Sequence, residues 1–123
     1  MRGHVRVAEV LLNHGADPEL RTTIGQTPLM WACGRGRAEA ADLLLRHNAR
    51  TDPADCNGDT ALHRAAFNGR IACVAALLAH GADATVGNSA GLTPRDMAVS
   101  GKHAEVVSVF DVCDFRVLFW LVD

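Results

Sequence analysis

Apolar side chains along this chain recur in pairs at one fixed interval. Leu11-Leu12, Leu44-Leu45 and Leu77-Leu78 stand 33 residues apart, and Ala32, Ala65 and Ala98 keep the same period. The polar positions keep step with them. Gly25-Gln26-Thr27-Pro28-Leu29, Gly58-Asp59-Thr60-Ala61-Leu62 and Gly91-Leu92-Thr93-Pro94-Arg95 open successive units. Residues 25–57 and 58–90 are identical at ten of 33 positions without a gap, where composition alone gives about two. Gly3 matches Gly36 and Gly69, and His14-Gly15-Ala16-Asp17 matches His80-Gly81-Ala82-Asp83, which carries the period toward the N-terminus. A period of this length marks an array in which each unit buries its apolar face only against its neighbours.

Each unit has a local physical reading. Thr27 can accept an orphan N–H of a first helical turn, and Pro28 suits the first helical position, where no N–H is needed. The pattern predicts a short helix ending near Cys33 and a turn at Gly34-Arg35-Gly36. A second helix follows from Ala38 to about Arg46, with Leu44 and Leu45 facing neighbouring units. Gly81, after Ala79-His80, supplies a left-handed residue to end the corresponding helix of the next unit. Asn57-Gly58, within Asp52-Pro53-Ala54-Asp55-Cys56-Asn57-Gly58, is a tight-turn signal and predicts a hairpin-like finger between units. The second helices are apolar nearly all round and are expected to pack between neighbours.

With these residues in view, the chain resembles the ankyrin-repeat family. The likeness is carried by Thr27-Pro28-Leu29-Met30-Trp31-Ala32, Thr60-Ala61-Leu62-His63-Arg64-Ala65 and Thr93-Pro94-Arg95-Asp96-Met97-Ala98, together with the two His-Gly-Ala-Asp segments. It spans roughly residues 3–109. The resemblance implies an all-α solenoid of stacked helix-turn-helix repeats with β-hairpin-like finger loops. The expected domain covers residues 1–111, divided into a partial repeat (1–24), two full repeats (25–57 and 58–90) and a degenerate last repeat (91–111). There Arg95 replaces the core Leu, Asp96 the His, and Phe110-Asp111 the Leu-Leu pair. An apolar tail, 112–123, resembles no ankyrin element.

Composition narrows the function classes. The 123 residues are 49% hydrophobic and 21% charged, as in an ordinary globular domain rather than a disordered chain. With 12 Lys+Arg against 14 Asp+Glu the net charge is -2, so there is no global basic field for nucleic acid or anionic lipid. The longest run of large apolar residues, Val117 to Val122, is far short of the ~20 residues that span a bilayer. The charged start, Met1-Arg2-Gly3-His4-Val5-Arg6, does not read as a signal peptide. Cysteines at 33, 56, 73 and 113 form no CxxC pair and read as free thiols of a reducing compartment. A cytoplasmic location is expected, with the nucleus as the alternative.

No constellation for catalysis or cofactor binding emerges. His14, His47 and His80 recur at one repeat position, but stacked units would hold them about 10 Å apart, whereas the ligands of one zinc need ~2 Å bonds. They read as residues closing the second helices. For His63 the resemblance implies a hydrogen-bonding role between repeats. Cys33 and Cys73 fall on apolar helix faces and read as small core residues, and Cys56 sits at a finger tip. Asp55-Cys56-Asn57-Gly58-Asp59 lacks the order and the final Glu of a calcium loop. No enzyme activity, metal or cofactor is expected.

The remaining surface is the one that, by resemblance, lines a concave partner-binding groove. Carried over position by position, it comprises Thr23, Ile24, Gln26 and Arg35 in the first full unit. Cys56, Asn57, Asp59, Phe67 and Asn68 follow in the second, and Ser89, Ala90 and Leu92 in the third. Trp31 and Arg64 share that helical side. The leading expectation is a non-catalytic scaffold that binds an unidentified partner protein. The alternatives are an accessory or adaptor fragment of a larger ankyrin-containing enzyme or regulator, or a truncated product. Because the first unit lacks its first helix and the tail is apolar, the ends are expected to self-associate, or the tail to fold back as a cap.

Overall fold

The computed structural model of the chain describes residues 21–111. Those residues form six helices and no strand. Helix α1 is Pro28–Gly34, α2 Ala38–Arg46, α3 Ala61–Phe67, α4 Ile71–Ala79 and α5 Pro94–Ser100; α6 covers 104–111. Each first helix starts at a threonine in extended conformation. Thr27, Thr60 and Thr93 accept the N–H of Met30, His63 and Asp96, which satisfies one orphan donor of each first turn. His63 and Asp96 return the favour to the N–H of Thr60 and Thr93, completing reciprocal capping boxes.

The helices stack in two rows. First helices pack on first helices (α1 on α3, α3 on α5), second on second (α2 on α4), and each first helix on the second helix of its own unit (α1 on α2, α3 on α4). Ala32, Ala65 and Ala98 are fully buried, and their small side chains allow close approach along the first row. Leu44, Leu45, Val74, Leu77, Val106 and Phe110 join them in one continuous core. Phe110 takes the place of Leu77 one period earlier, and it too is buried. His47 and His80 close α2 and α4 as cap residues, with their N–H groups directed to the last carbonyls.

One expectation is corrected. The second helices are not covered all round: α4 buries Cys73, Val74 and Leu77, while Ile71, Ala72, Ala75 and Ala79 are exposed. Among the described residues no third layer covers the outer row of helices, so one face of α4 meets solvent.

Fingers link the units. Within each, a tight turn closes: Gly25, Gly58 and Gly91 donate to the carbonyls of Thr22, Asp55 and Asn88. Thr22, Asp55 and Asn88 donate in turn to Gln26, Asp59 and Leu92. These are hairpin-like ends without strands. Adjacent fingers are joined by main-chain rungs, Cys56 N–H to the Ile24 carbonyl and Ser89 N–H to the Asn57 carbonyl, both 3.1 Å. Gly58 is required twice over, by its φ of +76° and because a Cβ there would lie 2.6 Å from the Ser89 nitrogen.

Residues 1–20 of the partial repeat, with His14, and the apolar segment 112–123, with Cys113, lie outside the described residues, as do the expectations of self-association and capping placed on them.

Candidate functional site

The candidate residues lie on the finger tips and on the first helices α1 and α3 with their turns. Thr23, Ile24, Cys56, Asn57, Ser89 and Ala90 are exposed at the tips, and Trp31, Arg35, Phe67 and Asn68 are exposed on the helices and their turns. Gln26, Asp59, Arg64 and Leu92 are half-buried between these two groups. Of the fourteen residues carried over from the repeat pattern, Gln26, Trp31, Arg35, Arg64 and Asn68 line one shared cleft.

Several of them are committed to holding the frame. Asp55, whose side chain is 1% exposed, uses Oδ1 to accept the N–H groups of Asn57 and Asp59 at 2.9 and 3.0 Å. Its Oδ2 accepts from Arg64, through Nε at 3.1 Å and through Nη2. Burial pushes the Asp55 carboxyl up, but the Arg64 guanidinium and the two N–H donors outweigh it and hold the group below the usual carboxylate range. With its amide oriented so that the oxygen rather than the nitrogen faces Arg64, the assignment its surroundings demand, Gln26 accepts from the same guanidinium at 3.0 and 3.2 Å. Asp59 accepts from the Asn88 side chain at 2.9 Å, tying the second finger to the third. Arg64 and Asp59 thus belong to the frame as well as to the candidate face. Both are bonded to structural carboxylate or amide groups.

Asn88 repeats the Asp55 arrangement, accepting from Ala90 and Leu92 N–H at 3.0 Å each. The Thr22 hydroxyl supplies a weaker version to Gln26 N–H at 3.2 Å. These three residues were not singled out from the sequence as finger anchors. Their recurrence at one repeat position, with side chains able to bond the chain two to four residues on, was the available signal.

His63 is fully buried. Nδ1 accepts from Thr60 N–H at 3.1 Å, and Nε2 lies 2.8 Å from the Leu92 carbonyl, which requires the proton on Nε2. The imidazole thus ties the cap of α3 to the finger that follows, matching the inter-repeat role implied by the resemblance. Cys33 and Cys73 are buried in the core and Cys56 is exposed. The neighbouring Cys73 thiol, together with burial, pushes the Cys33 thiol up and keeps it protonated.

Two shallow clefts meet at Trp31. A mostly apolar one of about 370 Å³ is lined by Arg21, Thr22, Gln26, Thr27, Pro28 and Trp31. A more polar one of about 230 Å³ runs between α1 and α3, beside Gln26, Arg35, Arg64 and Asn68. The Arg35 guanidinium carbon lies 5.5 Å from the Trp31 ring centroid, within cation–π range. Among the described residues no group of three or more His, Cys, Asp or Glu side chains is placed to hold a metal. Among them, too, no helix is long and apolar enough to cross a membrane.

Paired helices stacked at a fixed period, capped by threonines and joined by hydrogen-bonded fingers, define a helical repeat scaffold. The chain belongs to the ankyrin-repeat family: a family model described as ankyrin repeats (3 copies) matches residues 1–88. Domains of this family generally mediate protein–protein interaction and are typically non-catalytic. No curated protein matches the chain.

Proposed function

We propose that residues 1–111 act as one non-catalytic scaffold, set apart from the segment 112–123, and bind a partner protein on the finger tips and inner helices. The observation that carries this reading is the placement of the aromatic side chains. Of the three among the described residues, Phe110 is buried, whereas Trp31 and Phe67, both on first helices, are 45% and 46% exposed. Leaving nearly half of each aromatic surface in water forgoes part of a burial worth about 1.5–3 kcal/mol when complete, and aromatic residues are enriched in interface hot spots. Ile24, half exposed at a tip, extends the apolar contact. Main-chain rungs hold the fingers in place, so little ordering cost is added on binding.

The test is quantitative mass spectrometry of proteins retained by the immobilised chain, comparing wild type with Trp31→Ala, Phe67→Ala and the outer-face variant Ala75→Glu. The first two variants should lose the same retained proteins while the third keeps them. Equal loss from Ala75→Glu would refute the reading.

A further inference from the structure

The cleft between α1 and α3 exists because of one small residue. Position 34 is glycine, and the same repeat position carries Phe67 in the next unit and Ser100 in the one after. A Cβ on Gly34 would meet only Asn68 Nδ2 at 3.9 Å and Arg64 Cβ at 4.0 Å, so the space above it is open. Around that opening the side-chain groups are mainly donors: the guanidinium groups of Arg35 and Arg64 and the amide of Asn68. No carboxylate lines the cleft, and the nearest partner of Arg64, Asp55, lies behind it with its own oxygens shielded from solvent. Among the described residues, no carboxylate pairs with Arg35. Arg70 adds a third cation at the rim, with its Nε donating to the Gly34 carbonyl. With the charge of Arg64 offset by Asp55, Arg35 and Arg70 still leave a local excess of positive charge beside an exposed indole, in a chain of net charge -2.

We propose that this cleft receives an acidic side chain of a partner peptide, with the carboxylate on Arg35 and an adjoining apolar residue against Trp31. The inference rests on the binding face proposed above and names the chemistry of its occupant. Charge complementarity selects the acid, because a guanidinium without a carboxylate partner offers a planar fork of N–H donors. The indole beside it supplies the apolar contact that a free anion would not use. Arg64 and Asn68 complete the rim.

Selection of binders from a random short-peptide library on the immobilised chain tests this, followed by fluorescence anisotropy on the selected peptides. Acidic peptides with an apolar neighbour should be enriched. Replacing their Asp and Glu by Asn and Gln, or Arg35 by Gln, should weaken binding at least about fivefold, the scale that sets a contributing interface residue apart from its neutral neighbours. Gly34→Phe, which places there the side chain that the next unit carries, should abolish binding while circular dichroism stays unchanged. Should that variant fold poorly, the exposed Arg35→Glu replaces it. Neutral or basic binders that still depend on Trp31 and Phe67 would overturn the acidic preference and leave the binding face standing. Binders indifferent to every one of these changes would overturn both, and an empty selection would overturn the cleft. Equal competition by a single-stranded oligonucleotide would reassign the cleft to phosphate and overturn the peptide.

Discussion

Arg95 and Asp111 each depart from the repeat pattern, and they pair with each other. Arg95 Nε and Nη2 donate to the two carboxylate oxygens of Asp111 at 2.7 and 3.3 Å. In the two preceding units the same positions are leucines, Leu29 and Leu62 for Arg95, Leu45 and Leu78 for Asp111. The last helix pair has thus exchanged two apolar positions for a forked ion pair between α5 and α6. Both side chains are about half exposed, which keeps the pair's worth near the ~0–1 kcal/mol of surface bridges. A double-mutant cycle with Arg95→Ala and Asp111→Ala, read by urea denaturation, should give a coupling below about 1 kcal/mol that shrinks in high salt.

His63 should matter far more. His63→Ala leaves the Leu92 carbonyl and the Thr60 N–H without their partners, at ~1–3 kcal/mol for each group that stays buried. His63→Asp, the residue that the next unit has at this position, can rebuild the capping box as Asp96 does but cannot donate to Leu92. Thermal melting should rank wild type above His63→Asp and His63→Ala lowest.

Acid should loosen the finger frame through Asp55. Its carboxyl titrates lower in the folded protein than in the unfolded chain, so the folded state binds that proton less readily. The stabilisation is therefore complete above the unfolded value of about 3.9 and drains away as pH falls through the lower folded value. Asp83, Asp96 and Asp111 are shifted in the same direction, by Thr85, Thr93 and Arg95 respectively, and add the same sign. Urea denaturation followed from pH 7 to pH 2 should show stability falling below about pH 4. Asp55→Asn should flatten part of that fall and cost roughly 1–3 kcal/mol at neutral pH, the range for a lost charged hydrogen bond.

Thiol reactivity should separate the cysteines. Cys56 is exposed at a finger tip, while Cys33 and Cys73 are 0% and 1% exposed. Alkylation under native conditions, mapped by peptide mass spectrometry, should label Cys56 fully and leave Cys33 and Cys73 unlabelled until denaturant is added. Early labelling of Cys33 would contradict the packing of α1 against α3.

What could be read from the sequence followed the period. Threonine caps at 27, 60 and 93, the turn at Asn57-Gly58 and the leucine pairs are local signals repeated at one spacing, and repetition turns weak local preferences into a firm assignment. What could not be read lies off the period. Arg64 has Trp31 and Met97 at its equivalent positions, so no repeat logic links it to Asp55; the ion pair depends on side chains meeting across a turn. Alanine hid the outer face of α4, because a methyl group is tolerated in a core and in water alike. The cleft beside Gly34 is the trace of a missing side chain, which a pattern of side chains does not register.

The rungs between fingers have a consequence for how freely the tips can change. Each is made of peptide groups alone, the Ile24 and Asn57 carbonyls receiving the Cys56 and Ser89 N–H. Any residue has the carbonyl, and every residue but proline has the N–H. Randomising positions 23, 24, 56, 57, 89 and 90 to non-proline residues should therefore rewrite what the tips display and leave the register between units intact. Only a prolyl ring at 56 or 89 would delete a rung. Chemical identity at the tips is separable from spacing, and a surface of this kind can diversify while its scaffold stays the same.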